Sequence, residues 1–416
     1  MIGLPPIRPN MPAGVRVNKS EFYRNARTDL KGPLDGVRVI EATTTWAGPM
    51  AACVLADFGA DVIKVEHPDG EVIRRLPPVI PDSSLTVPDQ TVNRNKRNLA
   101  IDLRSDAGRE VFLKLASTAD IMIENFRPGT LTKWGLGYEQ VKAVKPDIVY
   151  VSISGFGQFG EYSDRVGYDP LAQSYSGWAS LNGDPKGGPT KAPTYLGDDV
   201  SGLHGALGAM AALRHRDQTG EGQHVDVALV DALMYQSNGN PTSGALGIPL
   251  ERTGNQFGIA APINIYECQD GMVFAGVLLD SHWQVMCGLL DRMDLASLGM
   301  FERISRRDEL DEILGGWCAE KTVTEIIEIF AELSLPASPV NQFSDLAGDA
   351  HIQSRDMLQP TVLSDGREVL LTAPAANFSR TPVSVRHRAP DIGEHNAEIL
   401  AELGYDPEAL AGLQDD

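Results

Sequence analysis

Apolar strand-like segments alternate with helix-like segments through the first half of the chain. The segment GVRVIEA, residues 36–42, leads into the helix-like TTTWAGPMAACVLADFGA and then into a second apolar segment, DVIKVE, residues 61–66. Helices predicted near residues 105–118 and 138–144 are each followed by another apolar segment, ADIMIEN and DIVYVSISG. Continuous apolar runs are typical of parallel strands buried on both faces, and the alternation predicts a doubly wound α/β sheet.

Ligands on such sheets bind beyond the carboxyl ends of the strands. The loops that follow those ends here read TTTWAGP, EHPDGE, ENFRPG and SGFGQFG. A dinucleotide site would need GxGxxG after the first strand, whereas that turn reads ATTTWAGPM, with a single glycine. The pattern predicts a ligand site on these loops and argues against a NAD enzyme.

Changes in composition divide the chain into four segments. Residues 1–32 have no clean periodicity and are predicted to form an N-terminal arm, and residues 33–224 form the first part of a large α/β domain. Residues 225–330 become glycine-rich with short strand-like runs followed by helices, which predicts a smaller α+β domain. Residues 331–416 are predicted to link back to the large domain and to end in a helix.

The 416-residue chain has a formal net charge of -20 and four cysteines without a CxxC pair. A strongly acidic surface repels phosphate-rich partners, so we expect neither nucleic acid nor an anionic membrane as a partner. The cysteine spacing favours a reducing compartment, and no apolar run approaches a membrane span or a signal-peptide core. We expect a cytoplasmic protein.

The histidine spacings fit no metal motif, so no metal site is expected.

One basic cluster stands out against the acidic composition. The segment NRNKRNLAIDLR contains Arg94, Lys96, Arg97 and Arg104 within eleven residues. Such a cluster can bind a phosphorylated ligand, and it can equally be a solvated connection between elements. The sequence leaves both interpretations open.

Two adjacent carboxylates, Asp198 and Asp199, open a long helix of glycine, alanine and leucine near residues 194–216. Aspartate is a preferred helix N-cap, which is one interpretation of the pair. The helix N-terminus also stabilises an ionised carboxylate, which can act as a nucleophile. The glycines of this helix reduce its stability, which is understandable if something must approach its backbone closely.

From about residue 33 to its end, the chain resembles the class III CoA-transferases, the family of the formyl-CoA and carnitine CoA-transferases, and more distantly the α-methylacyl-CoA racemases. The motifs that carry the resemblance occur in the family order. They read GVRVIEATTTWAGPMAACVLADFGADVIKVE, NRNKRNLAIDL, ADIMIENFRPG, GYDPLAQSYSG, YLGDDVSGLHGALGAMAALRHRDQTGEGQHVDVAL, ASPVNQ and GEHNAEILAELGY.

The resemblance implies ring-like subunits that form an interlocked homodimer. It also implies that Asp198, in the LGD that opens the small-residue helix, is the catalytic nucleophile. Asp198 would attack an acyl-CoA thioester, and an aspartyl anhydride and an aspartyl-CoA thioester would then carry CoA to a carboxylic acid acceptor. Coenzyme A would be part of substrate and product, with no permanently bound cofactor.

By the same resemblance, twelve positions are expected to bind CoA. They are Trp46, Ala47, His67, Ile101, Asp102, Leu103, Arg104, Asn125, Phe126, Arg127, Lys133 and Tyr168.

The chain departs from the formyl-CoA enzyme at three places. His67 stands where that enzyme has arginine, and Trp46 stands where it has glutamine. Its active-site glycine run is missing, and GIAAP from Gly258 stands in roughly that region. Trp46 puts a bulky apolar group beside the expected acyl site, so we expect a larger or more apolar acyl group than oxalyl or formyl.

Three alternatives remain at this level. A racemase needs a second base, a histidine in a GHD motif, but this chain reads GYD, with Tyr168 at that position. An isomerase could move CoA within one molecule. A noncatalytic CoA-binding subunit of a heteromeric transferase would have no need of Asp198.

Overall fold

A computed structural model describes residues 17–405 of the chain. Half of the predicted N-terminal arm, residues 1–16, lies outside the described residues, as does the end of the predicted return segment, residues 406–416.

The described chain divides into two compact units. The larger unit comprises Asn18–Ser180, Lys191–Leu250 and the chain from Ala350 onward, and the smaller comprises Leu181–Thr190 and Glu251–Asp349. The domain boundaries inferred from composition stay a prediction.

The larger unit is built around a parallel sheet with helices on both faces. Its strands are β1 Arg38–Ala42, β2 Asp61–Glu66, β3 Lys96–Ala100, β4 Ile121–Glu124, β5 Val149–Ser154 and β6 Gln223–Ala228. Its helices up to residue 250 are α1 Lys19–Phe22, α2 Ala47–Asp57, α3 Val87–Val92, α4 Asp106–Ala116, α5 Thr130–Lys133, α6 Tyr138–Val144, α7 Asp169–Tyr175, α8 Trp178–Leu181 (which ends at the boundary), α9 Leu196–Thr219, α10 Leu229–Tyr235 and α11 Asn240–Ala245, with a 3-10 turn at Val72–Arg75.

The smaller unit contains a three-stranded sheet and helices. Its strands are β7 Ile263–Glu267, β8 Met272–Gly276 and β9 Ala337–Pro339, and its helices are α12 Asp280–Leu289, α13 Met300–Ser305, α14 Arg307–Ala319 and α15 Val323–Glu332, with 3-10 turns at Met293–Leu295 and Phe343–Gly348. Buried Trp283, Leu314 and Phe330 belong to its core. The chain then returns to the larger unit with β10 Leu358–Val362, β11 Glu368–Thr372, α16 Ala350–Ser354 and α17 Asn396–Glu402.

The central sheet has six strands in the order β3-β2-β1-β4-β5-β6, all paired in parallel. Successive residues of each buried strand face opposite sides, so Val39 and Ile40 of β1 belong to two different core clusters. Helices α2 and α9 contribute to the first cluster, whereas α4 and α17 contribute to the second. The prediction of a doubly wound α/β fold is confirmed.

Two strands of this sheet were not recognisable from their sequence. Strand β3 begins with Lys96 and Arg97, whose charges hide its buried position. Strand β6, QHVDVA, alternates polar and apolar residues because it lies at the edge of the sheet and is largely exposed.

The interpretation as a solvated connection is wrong for Arg94, Lys96 and Arg97, which are largely buried, whereas binding of a phosphorylated ligand stays a prediction for the exposed Arg104. Lys96 is only 2% exposed and its ammonium group lies beside a carboxylate inside the sheet, because a buried charge requires a partner. Every cation of the cluster is paired: Arg94 with Asp57 at 2.6 Å, Lys96 with Glu41 at 2.5 Å, Arg97 with Asp61 at 2.6 Å and Arg104 with Asp102 at 2.8 Å.

Glycines let α9 pack closely against α2 and the sheet. A methyl group at Gly202 would lie 2.9 Å from the carbonyl oxygen of Ala47, and one at Gly205 would lie 2.6 Å from Cδ1 of Ile153. The close approach expected from the glycine content is therefore made by α2 and β5.

Between residues 17 and 405 no helix is both long enough and apolar enough to cross a membrane.

Replacing Gly202 with alanine is expected to lower the free energy of unfolding by about 1–3 kcal/mol, because the new methyl group meets backbone that must move. The control is Gly244→Ala in α11 of the same unit, where the new Cβ meets no atom within 4 Å. This change should leave stability unchanged or raise it by up to ~1 kcal/mol. Urea titrations followed by circular dichroism compare the two, and equal stabilities would contradict the packing argument.

Candidate active site

A cavity of about 140 Å³ lies at the carboxyl edge of the central sheet, within the larger unit. Loops that follow β1, β4 and β5 form most of its wall, and the first turn of α9 contributes one carboxylate. The lining residues are Thr44, Thr45, Trp46, Ala47, Asn125, Phe126, Arg127, Pro128, Ile153, Ser154, Gly155, Ser163, Arg165, Gly167, Tyr168, Asp198 and Leu229. Three of the four predicted ligand loops therefore meet here.

Neither aspartate caps α9, so the capping interpretation is wrong. The N-cap residue is Tyr195, which makes no side-chain capping bond. The Gly197 N–H donates instead to Oδ1 of Asp169, at 2.7 Å, from the start of α7. Asp198 lies in the first helical turn, half-buried, and no group among residues 17–405 donates a hydrogen bond to its carboxylate.

The electrostatics of Asp198 differ from the expectation for a helix N-terminus. Burial raises the pKa of its carboxyl to about 7, and the nearby carboxylates of Asp169 and Asp199 add to the rise. Like charges and desolvation therefore outweigh the helix dipole.

Asp199 is tied to Trp46. The indole N–H of Trp46 donates to Oδ1 of Asp199 at 2.6 Å, and the ring of Tyr195 contacts the indole edge-on with centroids 5.0 Å apart. Burial raises the pKa of Asp199, and the hydrogen bond from Trp46 opposes that rise. Asp198 and Asp199 are thus adjacent in sequence but differ in role, because only Asp199 has a donor.

Seven of the thirteen predicted site residues line this cavity. Asp198 is joined there by Trp46, Ala47, Asn125, Phe126, Arg127 and Tyr168.

The side chain of Asn125 is engaged with backbone. Its amide donates to the carbonyl of Thr44 at 2.7 Å, and its oxygen accepts from the Thr44 N–H at 2.8 Å. It therefore positions the first loop of the cavity, a role that the sequence did not suggest. The Phe126 N–H is held by Oε2 of Glu124 at 2.9 Å, which fixes the second loop.

The other six predicted residues lie outside this cavity. His67, Asp102 and Arg104 contact one another: Nη2 of Arg104 lies 3.0 Å from Nε2 of His67, and Nε2 of His67 lies 3.7 Å from Oδ2 of Asp102. Ile101 and Leu103 are buried, and Lys133 is exposed at the end of α5.

Three features of the cavity were missed in the sequence. Asp169 supports the start of α9, and its position before a proline at a helix start was the available signal. Arg165 lines the cavity, stacks on the ring of Tyr162 and has no carboxylate partner among the described residues. Gly155 and Gly167 pack with no space for a side chain, since a Cβ on Gly155 would lie 2.4 Å from Cα of Gly167.

Within residues 17–405, no group of three or more histidine, cysteine, aspartate and glutamate side chains is arranged to hold a metal ion.

The sequence from residue 34 to residue 396 matches the family model of CoA-transferase family III. The chain belongs to that family, as the sequence motifs predicted, and it is an enzyme of the CoA-transferase class.

Its relatives include the beta subunit of the succinyl-CoA–L-malate CoA-transferase of Chloroflexus aurantiacus, 36% identical over 382 residues, 89% of this chain and 94% of that protein. The succinyl-CoA:mesaconate CoA-transferase of Haloarcula hispanica is 36% identical over 394 residues, 90% of this chain and 97% of that protein. Among solved structures, a CaiB/BaiF family protein from Brucella suis is 33% identical, with a TM-score of 0.80 over 90% of this chain and all of that one. These relationships support CoA transfer between acids.

Asp198→Asn is expected to stabilise the protein by about 2 kcal/mol at pH 8, with the gain shrinking toward pH 4. Because the folded pKa of Asp198 lies above that of the unfolded chain, protonation stabilises the fold at low pH, and this contribution is lost as the pH rises to 7. Asparagine never ionises and so avoids the loss. Urea titrations at several pH values measure the difference, and a gain that does not vary with pH would contradict the assignment.

Proposed function

We propose that this chain moves CoA from an acyl-CoA thioester to a free carboxylic acid with Asp198 as the covalent nucleophile. The observation that carries the proposal is a half-buried carboxylate that faces the cavity without a hydrogen-bond donor. A purely structural carboxylate in such a place would be paired, because an unpaired buried charge destabilises the fold.

The exchange proceeds in four balanced steps. A carboxylate oxygen of Asp198 attacks the thioester carbonyl, the C–S bond breaks, and an anhydride forms as CoA thiolate leaves. The thiolate then attacks the Asp198 carbonyl of the anhydride and releases the donor acid, which leaves an aspartyl-CoA thioester. The acceptor carboxylate displaces the thiolate to form a second anhydride. Attack by the thiolate on the acceptor carbonyl gives the new acyl-CoA and restores Asp198.

Two guanidinium groups support this chemistry at the cavity wall. Arg127 donates to the backbone carbonyl of Asp164, and Arg165 lies over Tyr162, so neither charge is neutralised by a carboxylate in the described chain. Their positive potential attracts an acceptor carboxylate into an otherwise acidic protein.

We propose that CoA lies along the carboxyl edge of the sheet. The cavity, at about 140 Å³, is too small for more than the thioester end of the molecule. Residues 101–104 follow β3, His67 follows β2, Trp46 follows β1 and residues 125–127 follow β4, in the order in which those strands lie side by side. With strands about 4.8 Å apart, these positions extend over roughly 15 Å. The predicted CoA contacts thus share one edge.

The candidate donor is a short dicarboxylic acyl-CoA such as succinyl-CoA. The names of the Chloroflexus and Haloarcula relatives support this choice, since both refer to succinyl-CoA. An unpaired Arg165 is available to bind the second carboxylate of such an acyl group.

The racemase alternative is disfavoured by the cavity itself. Among residues 17–405 no histidine lines it, and Tyr168, at the position of the second base, is 54% exposed. We also propose the interlocked homodimer and a cytoplasmic location, as the family resemblance and composition imply. The Chloroflexus relative is named as a subunit, so the possibility of a second chain must be tested directly.

The purified chain alone is expected to convert succinyl-CoA and a short acid into succinate and the new acyl-CoA. Asp198→Asn should lower kcat by at least about a thousandfold, because the nucleophile is lost. Asp217→Asn, an exposed aspartate on the same helix, is the matched control and should leave kcat unchanged. Chromatography of the CoA esters measures both. Full activity of Asp198→Asn would contradict the nucleophile, and activity only with an added chain would favour the heteromeric alternative.

A further inference from the structure

Three consecutive residues between β1 and α2 are each held by a different side chain. Thr44 is bound at its N–H and carbonyl by Asn125. The Thr45 N–H donates to Oε2 of Glu71 at 2.6 Å, and the indole N–H of Trp46 donates to Asp199 at 2.6 Å. The conformation of this turn is therefore determined by three independent contacts.

The backbone of the turn is strained at its centre. Thr45 has φ 70°, in the left-handed region that β-branched residues rarely adopt. Such a conformation is unfavourable and persists only where the surroundings hold it. The strain points to a function for the position of the residue that follows, Trp46.

Glu71 is anchored in the core of the larger unit. It is 8% exposed, and its Oε1 lies 2.5 Å from Nζ of Lys64, a side chain without solvent exposure. Lys64 also binds Glu41 at 3.0 Å. The ion pair with Lys64 fixes the orientation of this carboxylate, and its Oε2 is thereby directed at the Thr45 N–H.

The indole of Trp46 forms part of the cavity wall beside Asp198. Its ring is held on one edge by Tyr195 and at its nitrogen by Asp199, both on the first turn of α9 or next to it. These contacts favour one position of the indole. In that position the indole narrows the cavity of about 140 Å³.

We infer that Trp46 is a specificity-determining residue that limits the donor to short acyl groups, and that Glu71 is a positioning residue that holds Trp46 there. The inference rests on the proposed function in that it takes the acyl thioester to be bound beside Asp198. It reverses the expectation from the sequence that Trp46 accompanies a larger acyl group.

The test measures binding, so it does not depend on turnover. Calorimetric titrations give the Kd of butyryl-CoA and of octanoyl-CoA for the Asp198→Asn protein and for the same protein with Trp46→Ala or Trp46→Phe. With Trp46 present, octanoyl-CoA should bind no more tightly than butyryl-CoA, because the added methylenes find no apolar space. In the Trp46→Ala protein, octanoyl-CoA should bind at least about tenfold more tightly than butyryl-CoA. Trp46→Phe keeps most of the bulk of the side chain, so in that protein octanoyl-CoA should again bind no more tightly than butyryl-CoA.

Glu71→Gln tests the positioning role in the same background. It should shift the ratio of the two Kd values in the direction of Trp46→Ala, while the Kd of free CoA stays within about twofold. Glu139→Gln, a change on the exposed side of α6, is the control and should not shift the ratio. A merely structural role for Glu71 would weaken all three ligands alike.

The outcomes separate the two proposals. An unchanged ratio in a folded Trp46→Ala protein, or a ratio in the unsubstituted protein that already favours octanoyl-CoA by tenfold, would overturn the size limit. Absence of CoA transfer by the wild-type chain would instead contradict the proposed function and leave the binding comparison valid.

Discussion

Helix α9 approaches helix α2 so closely that a methyl group at Gly202 would lie 2.9 Å from the carbonyl oxygen of Ala47. This contact brings the first turn of α9 to the first turn of α2, and with it Asp198 and Asp199 to Trp46. The glycines that reduce the helix propensity of α9 make this approach possible, since a Cβ would separate the two helices. The remaining walls of the cavity follow from the parallel sheet, whose strands all end at this edge.

Three aspartates lie close together at this edge, and they differ in the hydrogen bonds that their carboxylates accept. Asp169 accepts from the backbone of α9, Asp199 accepts from the indole of Trp46, and Asp198 accepts from nothing in residues 17–405. Burial, and after it repulsion from the other two carboxylates, raises the pKa of Asp198 to about 7. A half-buried carboxylate without a donor lowers stability, a pattern found where function and stability compete.

The sequence was sufficient to predict those elements whose local residue pattern agrees with their place in the structure. Apolar runs predicted β1, β2, β4 and β5, the strand ends predicted three loops that line the cavity, and the motif order predicted the family. It was insufficient where charge is buried by pairing: Lys96 and Arg97 resemble an exposed run, yet they begin strand β3, where Lys96 pairs with Glu41 of β1 and Arg97 pairs with Asp61 of β2. Asp169 capping α9 and Glu71 holding Thr45 join residues 28 and 26 positions apart, so no local pattern could show them.

Covalent capture by Asp198 can be tested by trapping the acylated carboxylate. The protein is incubated with succinyl-CoA and no acceptor, treated with hydroxylamine, digested and mapped by mass spectrometry. We expect a hydroxamate on Asp198 that requires the CoA thioester and is absent from the neighbouring Asp199. A hydroxamate on another residue, or none on Asp198 under conditions in which the same sample transfers CoA, would contradict it.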